Sequence, residues 1–121
     1  MRLLFICVGN SCRSQMAEAI ARDLGHEATS AGTNPETKVS VNALKALENR
    51  GFSTEGLRPK LVDGIDWQSF EMVISMGCGV SCPSIRIDQD WGIEDPYGQT
   101  LEVFEKCAVI IEENIRGLES L

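Results

Sequence analysis

A chain of 121 residues with 43% hydrophobic content is long enough to fold around one core without disulfides or a structural metal. Its net charge of −7 excludes a general nucleic-acid or anionic-membrane binder, so any anionic ligand has to be held by local positive potential. No apolar run reaches the length of a membrane span, and the short apolar stretch after Met1-Arg2 is too brief for a signal peptide, which makes the cytoplasm the expected compartment.

Leu3-Leu4-Phe5-Ile6 is a continuous apolar run closed by Gly9-Asn10, the pattern of a central parallel strand buried on both faces. From Ser14 onward, Ala17, Ile20, Ala21 and Leu24 share one helical face, and Gly25 supplies the C-terminal cap. Ala28 to Ala31 reads as a second strand, ending at Gly32 and the polar turn Thr33-Asn34-Pro35-Glu36. Ser40 is the N-cap of a second helix with Val41, Leu44 and Leu47 on its inner side and Gly51 at its end. After the loop Leu57-Arg58-Pro59-Lys60, a helical turn is expected from Asp63 to Phe70, with Trp67 and Phe70 packed inward. Met72 to Met76 is the third strand, and Gly77 to Pro83 forms the loop beyond it. Ile85-Arg86-Ile87 is expected as a short fourth strand at the edge, followed by a loop from Asp90 to Gly98. The last helix starts near Thr100 and buries Leu101, Phe104, Ala108, Ile111, Ile115 and Leu118, with Cys107 as a core residue beside them. Strands alternate with helices. The fold class is therefore α/β, a three-layer domain over residues 1–121 with a small four-stranded parallel sheet and helices on both faces.

Ligands of such sheets bind beyond the carboxyl ends of the strands. The loop Cys7-Val8-Gly9-Asn10-Ser11-Cys12-Arg13-Ser14 sits there, between an apolar strand and a helix start. Its backbone N–H groups and the helix N-terminus can face a tetrahedral oxyanion, and the planar fork of Arg13 can grip two anion oxygens. The same positive environment favours a thiolate at Cys7. Asp95, in an Asp-Pro turn, can act as a general acid for an oxygen that leaves when Cys7 attacks. Cys12 reads as a packing residue behind the loop.

Five cysteines in a cytosolic chain suggest metal binding or redox chemistry more than a structural disulfide framework. Cys78 and Cys82, in the loop after the third strand, allow three readings: half of a zinc site, two inert thiols, or a dithiol that forms a disulfide by exchange. With His26 the single histidine and no second cysteine knuckle, and with Gly77 and Gly79 giving the loop freedom, the redox reading is favoured.

The run Cys7 to Glu18 (Cys-Val-Gly-Asn-Ser-Cys-Arg-Ser-Gln-Met-Ala-Glu) resembles the anion loop of thiol-coupled arsenate reductases of the low-molecular-weight protein tyrosine phosphatase fold. Ser30-Ala31-Gly32, Arg58-Pro59-Lys60, Met76-Gly77-Cys78-Gly79, Cys82-Pro83 and Trp91 with Asp95-Pro96 are similar to that family in the same order, so the likeness covers nearly the whole chain. Gln15, where phosphatases usually carry proline, and the Cys78/Cys82 pair point to the reductases. Tyr97 after Asp95-Pro96 is phosphatase-like, and Val80-Ser81 replaces the Asp-Ala common in close relatives.

The resemblance implies a flavodoxin-like fold and a relay. Cys7 attacks arsenate held by the amides of residues 8–14 and by Arg13, while Asp95 protonates the departing oxygen. Cys78 then attacks the Cys7 sulfur and expels arsenite, and Cys82 takes over the disulfide, which thioredoxin or a similar thiol reductant reopens. No organic cofactor is implied. Some members hold a structural monovalent cation near the loop, and Asn10, Glu18, Ser30 and Asp63 match those positions. Two other readings stand beside this one. The first is a tyrosine or arginine phosphatase that works through a Cys7 phosphocysteine. The second is a non-catalytic oxyanion or redox sensor, in which Asp95 would be superfluous. A monomer is expected.

Overall fold

The computed structural model describes residues 1–77 and 85–118. Cys78 and Cys82, and with them the proposed dithiol, lie outside the described residues. The sheet has four parallel strands in the order β2-β1-β3-β4, made of β1 (Arg2–Cys7), β2 (Glu27–Gly32), β3 (Met72–Ser75) and β4 (Gln89–Asp90). Among the described residues three α-helices accompany it: α1 (Arg13–Asp23), α2 (Val41–Asn49) and α3 (Leu101–Leu118). The chain leaves β1 toward β2 on one side and reaches β3 on the other, so the strand order switches direction at β1. That is where an open α/β sheet leaves a crevice at its carboxyl edge.

The apolar run of β1 is central for a physical reason. Leu3, Leu4, Phe5 and Ile6 are fully buried, and each such side chain contributes about 1.5–3 kcal/mol of burial. Alternation sends Leu3, Phe5 and Cys7 to the larger core, which they share with Met16, Ile20, Leu47, Phe104, Ile111 and other residues of all three α-helices. Leu4 and Ile6 face a smaller cluster with Ala31, Val62 and Val73. That second face is covered by two 3-10 turns, Val62–Gly64 and Trp67–Ser69, in place of the single helical turn expected there. Trp67 and Phe70 do pack inward, half-buried against this cluster. Gly25 and Gly51 follow α1 and α2 at φ +95° and +81°, the left-handed conformation in which helices commonly end.

Two expectations need correction. Val41 is 53% exposed, because it opens α2 and its side chain leans back beyond the covered turn, while Ala43, Ala46 and Leu47 form the buried face. The edge strand is Gln89–Asp90 and not Ile85-Arg86-Ile87. Its register is set by Asp88, whose carboxylate accepts the Val73 N–H at 2.7 Å while its own N–H donates to the Val73 carbonyl at 2.9 Å. Arg86 holds the other carboxylate oxygen at 2.8 Å. Polar pairing thus decides where the edge begins. Among the described residues no helix is long and apolar enough to cross a membrane.

Candidate active site

The loop between β1 and α1 is shaped by where its carbonyls go. Those of Cys7, Val8, Gly9 and Ser11 accept N–H bonds from Thr33, Asn34, Glu36 and Ser40, at 2.8–3.2 Å. The Asn10 carbonyl accepts from Gln15 Nε2 at 2.9 Å. In a trans peptide the next N–H points opposite to the carbonyl. Carbonyls held outward therefore turn the amides of residues 8–12 inward, as an oxyanion cradle requires. The first turn of α1 carries no acidic residue, and its N-cap, Cys12, makes no side-chain cap, so its amide ends add positive potential.

Asn10 stands at φ +49°, the single non-glycine in the left-handed region among the described residues. Its side chain holds it there. Nδ2 donates to Ser14 Oγ at 2.8 Å and Ser30 Oγ at 2.9 Å, and Oδ1 accepts the Lys60 N–H at 2.8 Å and Gln15 Nε2 at 3.1 Å. Gln15 Nε2 also reaches the Arg58 carbonyl at 2.7 Å, so this fully buried amide ties the loop to the 58–60 segment. The Cys7 sulfur lies at the floor, 3.1 Å from the Asn10 N–H and 2.8 Å from Ser14 Oγ. Ser14 already accepts from Asn10, which leaves its own O–H free to point at the sulfur. Two donors thus converge on Cys7, the arrangement that suits a thiolate.

Arg13 is buried, and its NH1 donates to the carbonyls of Ile93 at 2.6 Å and Met76 at 3.3 Å. Both carbonyls lie just past β3 and β4, so the sheet's carboxyl edge fixes the guanidinium. Gly77 passes directly over it: a β-carbon there would stand 3.2 Å from NH1, and its φ of +138° also favours glycine. Arg13 NH2 lies 3.7 Å from Asp95 Oδ2, and the half-exposed Asp95 accepts the Tyr97 N–H at 3.0 Å through its other oxygen. Cys7, Arg13 and Asp95 thereby border one cavity of about 160 Å³, with Glu36 and the exposed Tyr97 at its mouth. A larger groove of about 490 Å³ adjoins it past Ser11 and Tyr97.

Burial alone does not separate the thiols, since Cys7, Cys12 and Cys107 are 3%, 3% and 5% exposed. Two donors converge on Cys7, whereas desolvation dominates at the other two. Burial pushes the Cys12 thiol up, and pushes Cys107 up to about 12, which leaves both as protonated packing groups. In a Cys78→Ser/Cys82→Ser background, iodoacetamide at neutral pH is expected to label Cys7 alone, with phosphate slowing the reaction. Peptide mapping checks this, and labelling of Cys12 at a comparable rate would contradict it.

Of the four residues matched to a monovalent cation, Asn10, Glu18 and Ser30 come together and Asp63 does not. Asp63 is exposed in the first 3-10 turn and makes no hydrogen bond to the other three. Glu18 Oε1 accepts the Ser30 N–H at 2.7 Å and the Ser30 hydroxyl at 2.8 Å, with Lys60 Nζ at 3.4 Å. Arg22 NH1 stands 2.9 Å from Oε2 as an ion pair without hydrogen-bond alignment. Burial pushes the Lys60 ammonium below its ordinary value, against the pull of Glu18 beside it. With its carboxylate already facing two side-chain cations, this pocket does not fit a further ion. The sequence pointed to Ser30-Ala31-Gly32 and Arg58-Pro59-Lys60 as motifs, but gave no role to Gln15, Gly32 or Lys60 in holding the loop.

A model of the low molecular weight phosphotyrosine protein phosphatase family matches residues 2–120. The chain belongs to this family. Within it, a glutaredoxin arsenate reductase of Synechocystis sp. is 35% identical over 125 residues, covering 97% of this chain and 95% of that protein. A solved structure of an arsenate reductase in its phosphate-binding state superposes with a TM-score of 0.90 at 35% identity, covering 98% of this chain and 96% of its own. A low-molecular-weight protein tyrosine phosphatase from T. tengcongensis gives a TM-score of 0.83 at 31% identity, covering 100% and 99%. Proteins similar to this chain are thus named both as arsenate reductases and as tyrosine phosphatases.

Proposed function

We propose that this protein is an arsenate reductase that turns over by a thiol relay. The observation that carries the reading is the meeting of Cys7, Arg13 and Asp95 around one anion-sized cavity, beside the strand end that continues into Cys78. Arsenate seated on the loop amides and Arg13 is attacked at arsenic by the Cys7 thiolate, and Asp95 gives its proton to the departing oxygen. Cys78 then attacks the Cys7 sulfur. The sulfur–arsenic electron pair stays on arsenic, which leaves as arsenite, and a Cys7–Cys78 disulfide forms. Cys82 exchanges into it to give Cys78–Cys82. Two electrons leave two thiols and reduce arsenic(V) to arsenic(III), so the step balances without a cofactor. A thioredoxin- or glutaredoxin-type dithiol, or a small-molecule thiol, reopens the disulfide. The named arsenate reductases among the relatives support the same reading.

The exposed Tyr97 at the cavity mouth favours a second reading, a phosphatase in which the ring lines a cleft for an aryl phosphate and water completes turnover. One experiment separates them. Reduced protein mixed with stoichiometric arsenate and quenched is expected to yield one arsenite and a Cys78–Cys82 disulfide per molecule. Absence of both would leave the phosphatase reading in possession. Cys82→Ser is expected to stop after one turnover with Cys7 joined to Cys78, and sustained turnover of that variant on thioredoxin alone would remove Cys82 from the relay.

A further inference from the structure

Glu18 lies on the inner side of α1 with no exposed surface, one layer below the anion loop. A carboxylate so placed has to be neutralised and hydrogen-bonded, or its desolvation would cost several kcal/mol. Ser30 supplies the hydrogen bonds and two side chains supply charge. Arg22 is 43% exposed and reaches Oε2 along the helix surface, whereas Lys60 is 17% exposed and reaches Oε1, the oxygen that accepts both the Ser30 N–H and the Ser30 hydroxyl. Lys60 also touches the loop directly, through its backbone N–H on Asn10 Oδ1 at 2.8 Å. Its ammonium is further fixed by the Arg58 carbonyl at 2.9 Å. A continuous chain of contacts therefore runs from the Lys60 ammonium to Glu18, Ser30, Asn10, Ser14 and the Cys7 sulfur.

We propose that Lys60 is a positioning residue whose ammonium is a built-in counter-ion beneath the anion loop, so that oxyanion binding here needs no free monovalent cation. The charges fit this assignment. One carboxylate faces two cations, Lys60 and Arg22, and a third would be repelled. Removing the Lys60 charge leaves the Oε1 side of Glu18 open toward Ser30 and Asn10, the place where a small cation could enter. Loss of the tether loosens Ser30, and Ser30 is one of the groups that keep Asn10 left-handed. The inference concerns oxyanion affinity and holds whether the bound anion is reduced or transferred.

The test uses inorganic phosphate as the probe, with affinity read by calorimetry and melting temperature read in parallel. Buffers contain potassium chloride, ammonium chloride or choline chloride at matched ionic strength. The parent protein is expected to show the same phosphate affinity and melting temperature in all three. In choline chloride, Lys60→Met is expected to bind phosphate about tenfold more weakly, the low end of what losing an outer-shell partner costs at a metal site. Potassium or ammonium should restore both its affinity and its melting temperature. Lys60→Arg keeps a cation in place and is expected to stay indifferent to potassium. The double variant Glu18→Gln/Lys60→Met removes the charge that demands a partner, and should lose the potassium response. The proposal is overturned if potassium raises the melting temperature or phosphate affinity of the parent protein. It is equally overturned if Lys60→Met binds phosphate like the parent in choline chloride. The parent measurement decides even if Lys60→Met fails to fold.

Discussion

Arg13→Lys is expected to lower kcat/KM for arsenate by about 100- to 1,000-fold, the usual cost of removing a donor aimed at developing negative charge. The guanidinium does two jobs that an ammonium cannot do together. Its NH1 is held by the carbonyls of Ile93 and Met76, and that anchorage fixes the plane in which the remaining N–H groups face the anion. A lysine that satisfied those carbonyls would leave the cavity without its bidentate donor, and one that reached the anion would abandon two carbonyls. Local charge makes the loss larger. The chain carries a net charge of −7, and the carboxylate of Glu36 stands at the cavity, so Arg13 and the inward amides supply the positive potential that an oxyanion meets. Steady-state kinetics with a parallel thermal melt checks the expectation. The melt should move by only a few degrees, since an ammonium can keep one of the two bonds. A variant within tenfold of the parent would show that the loop amides alone hold the anion.

The parts of this site that could be read from sequence are those whose chemistry is carried by residue type and close spacing. Cys7 and Arg13 stand on one short loop between an apolar strand and a helix start, the placement that favours an oxyanion loop over a corner with a merely buried thiol. The strand at Leu3–Ile6 is legible because so short and unbroken an apolar run suits little besides a strand buried on both faces. Asp95 was legible only as a candidate. The sequence distance to Cys7 says nothing about proximity, and it is the parallel β3–β4 pairing, carried on by the Ile93 N–H to the Met76 carbonyl, that returns the chain to the loop. The edge strand was misplaced because Ile85 and Ile87 look like strand residues, whereas the actual pairing is set by a side-chain-to-backbone bond from Asp88. No apolar pattern encodes such a bond.

The resemblance groups Glu18 and Ser30 with Asn10, but the bonding among the supports beneath the loop was illegible for a related reason. Gln15, Glu18, Ser30 and Lys60 come from three separate stretches, and each is polar, a type that a pattern-based reading assigns to the surface. All but Lys60 are in fact buried. Their meaning lies in mutual hydrogen bonding, which exists only once α1, β2 and the 58–60 segment have been packed together. The same polar network explains why Asn10 can occupy a left-handed conformation without being glycine: four hydrogen bonds to its side chain offset the backbone cost.

Gly32→Ala is expected to be nearly as damaging as loss of Arg13, although the residue has no side chain with which to reach an anion or the Cys7 sulfur. A β-carbon at this position would lie 2.5 Å from the Val8 carbonyl oxygen, 2.9 Å from Asn10 Cβ and 3.2 Å from the Asn10 N. Two of these neighbours are backbone, so no rotamer change relieves the contact. Gly32 cannot retreat either, because its N–H is bonded to the Lys60 carbonyl at 2.8 Å and it stands opposite Cys7 in the β1–β2 register. The Val8 carbonyl, held by the Asn34 N–H at 2.9 Å, has to swing away, and each tilt of that peptide turns an inward amide off the anion. Overpacking of this kind costs about 1–3 kcal/mol in stability. A displacement near 1 Å at a preorganised site costs about 100-fold in rate. Gly64→Ala serves as the control, since a β-carbon there meets nothing within 4 Å and its backbone is not left-handed. It should leave both melt and kinetics unchanged. If Gly32→Ala lowered the melting temperature yet kept kcat/KM within a few-fold of the parent, the outward tethering of the loop carbonyls would be a matter of folding alone. The expected result is the opposite: activity lost well beyond what the fraction unfolded explains, because the strand that follows the loop is also the mould against which its peptides are set.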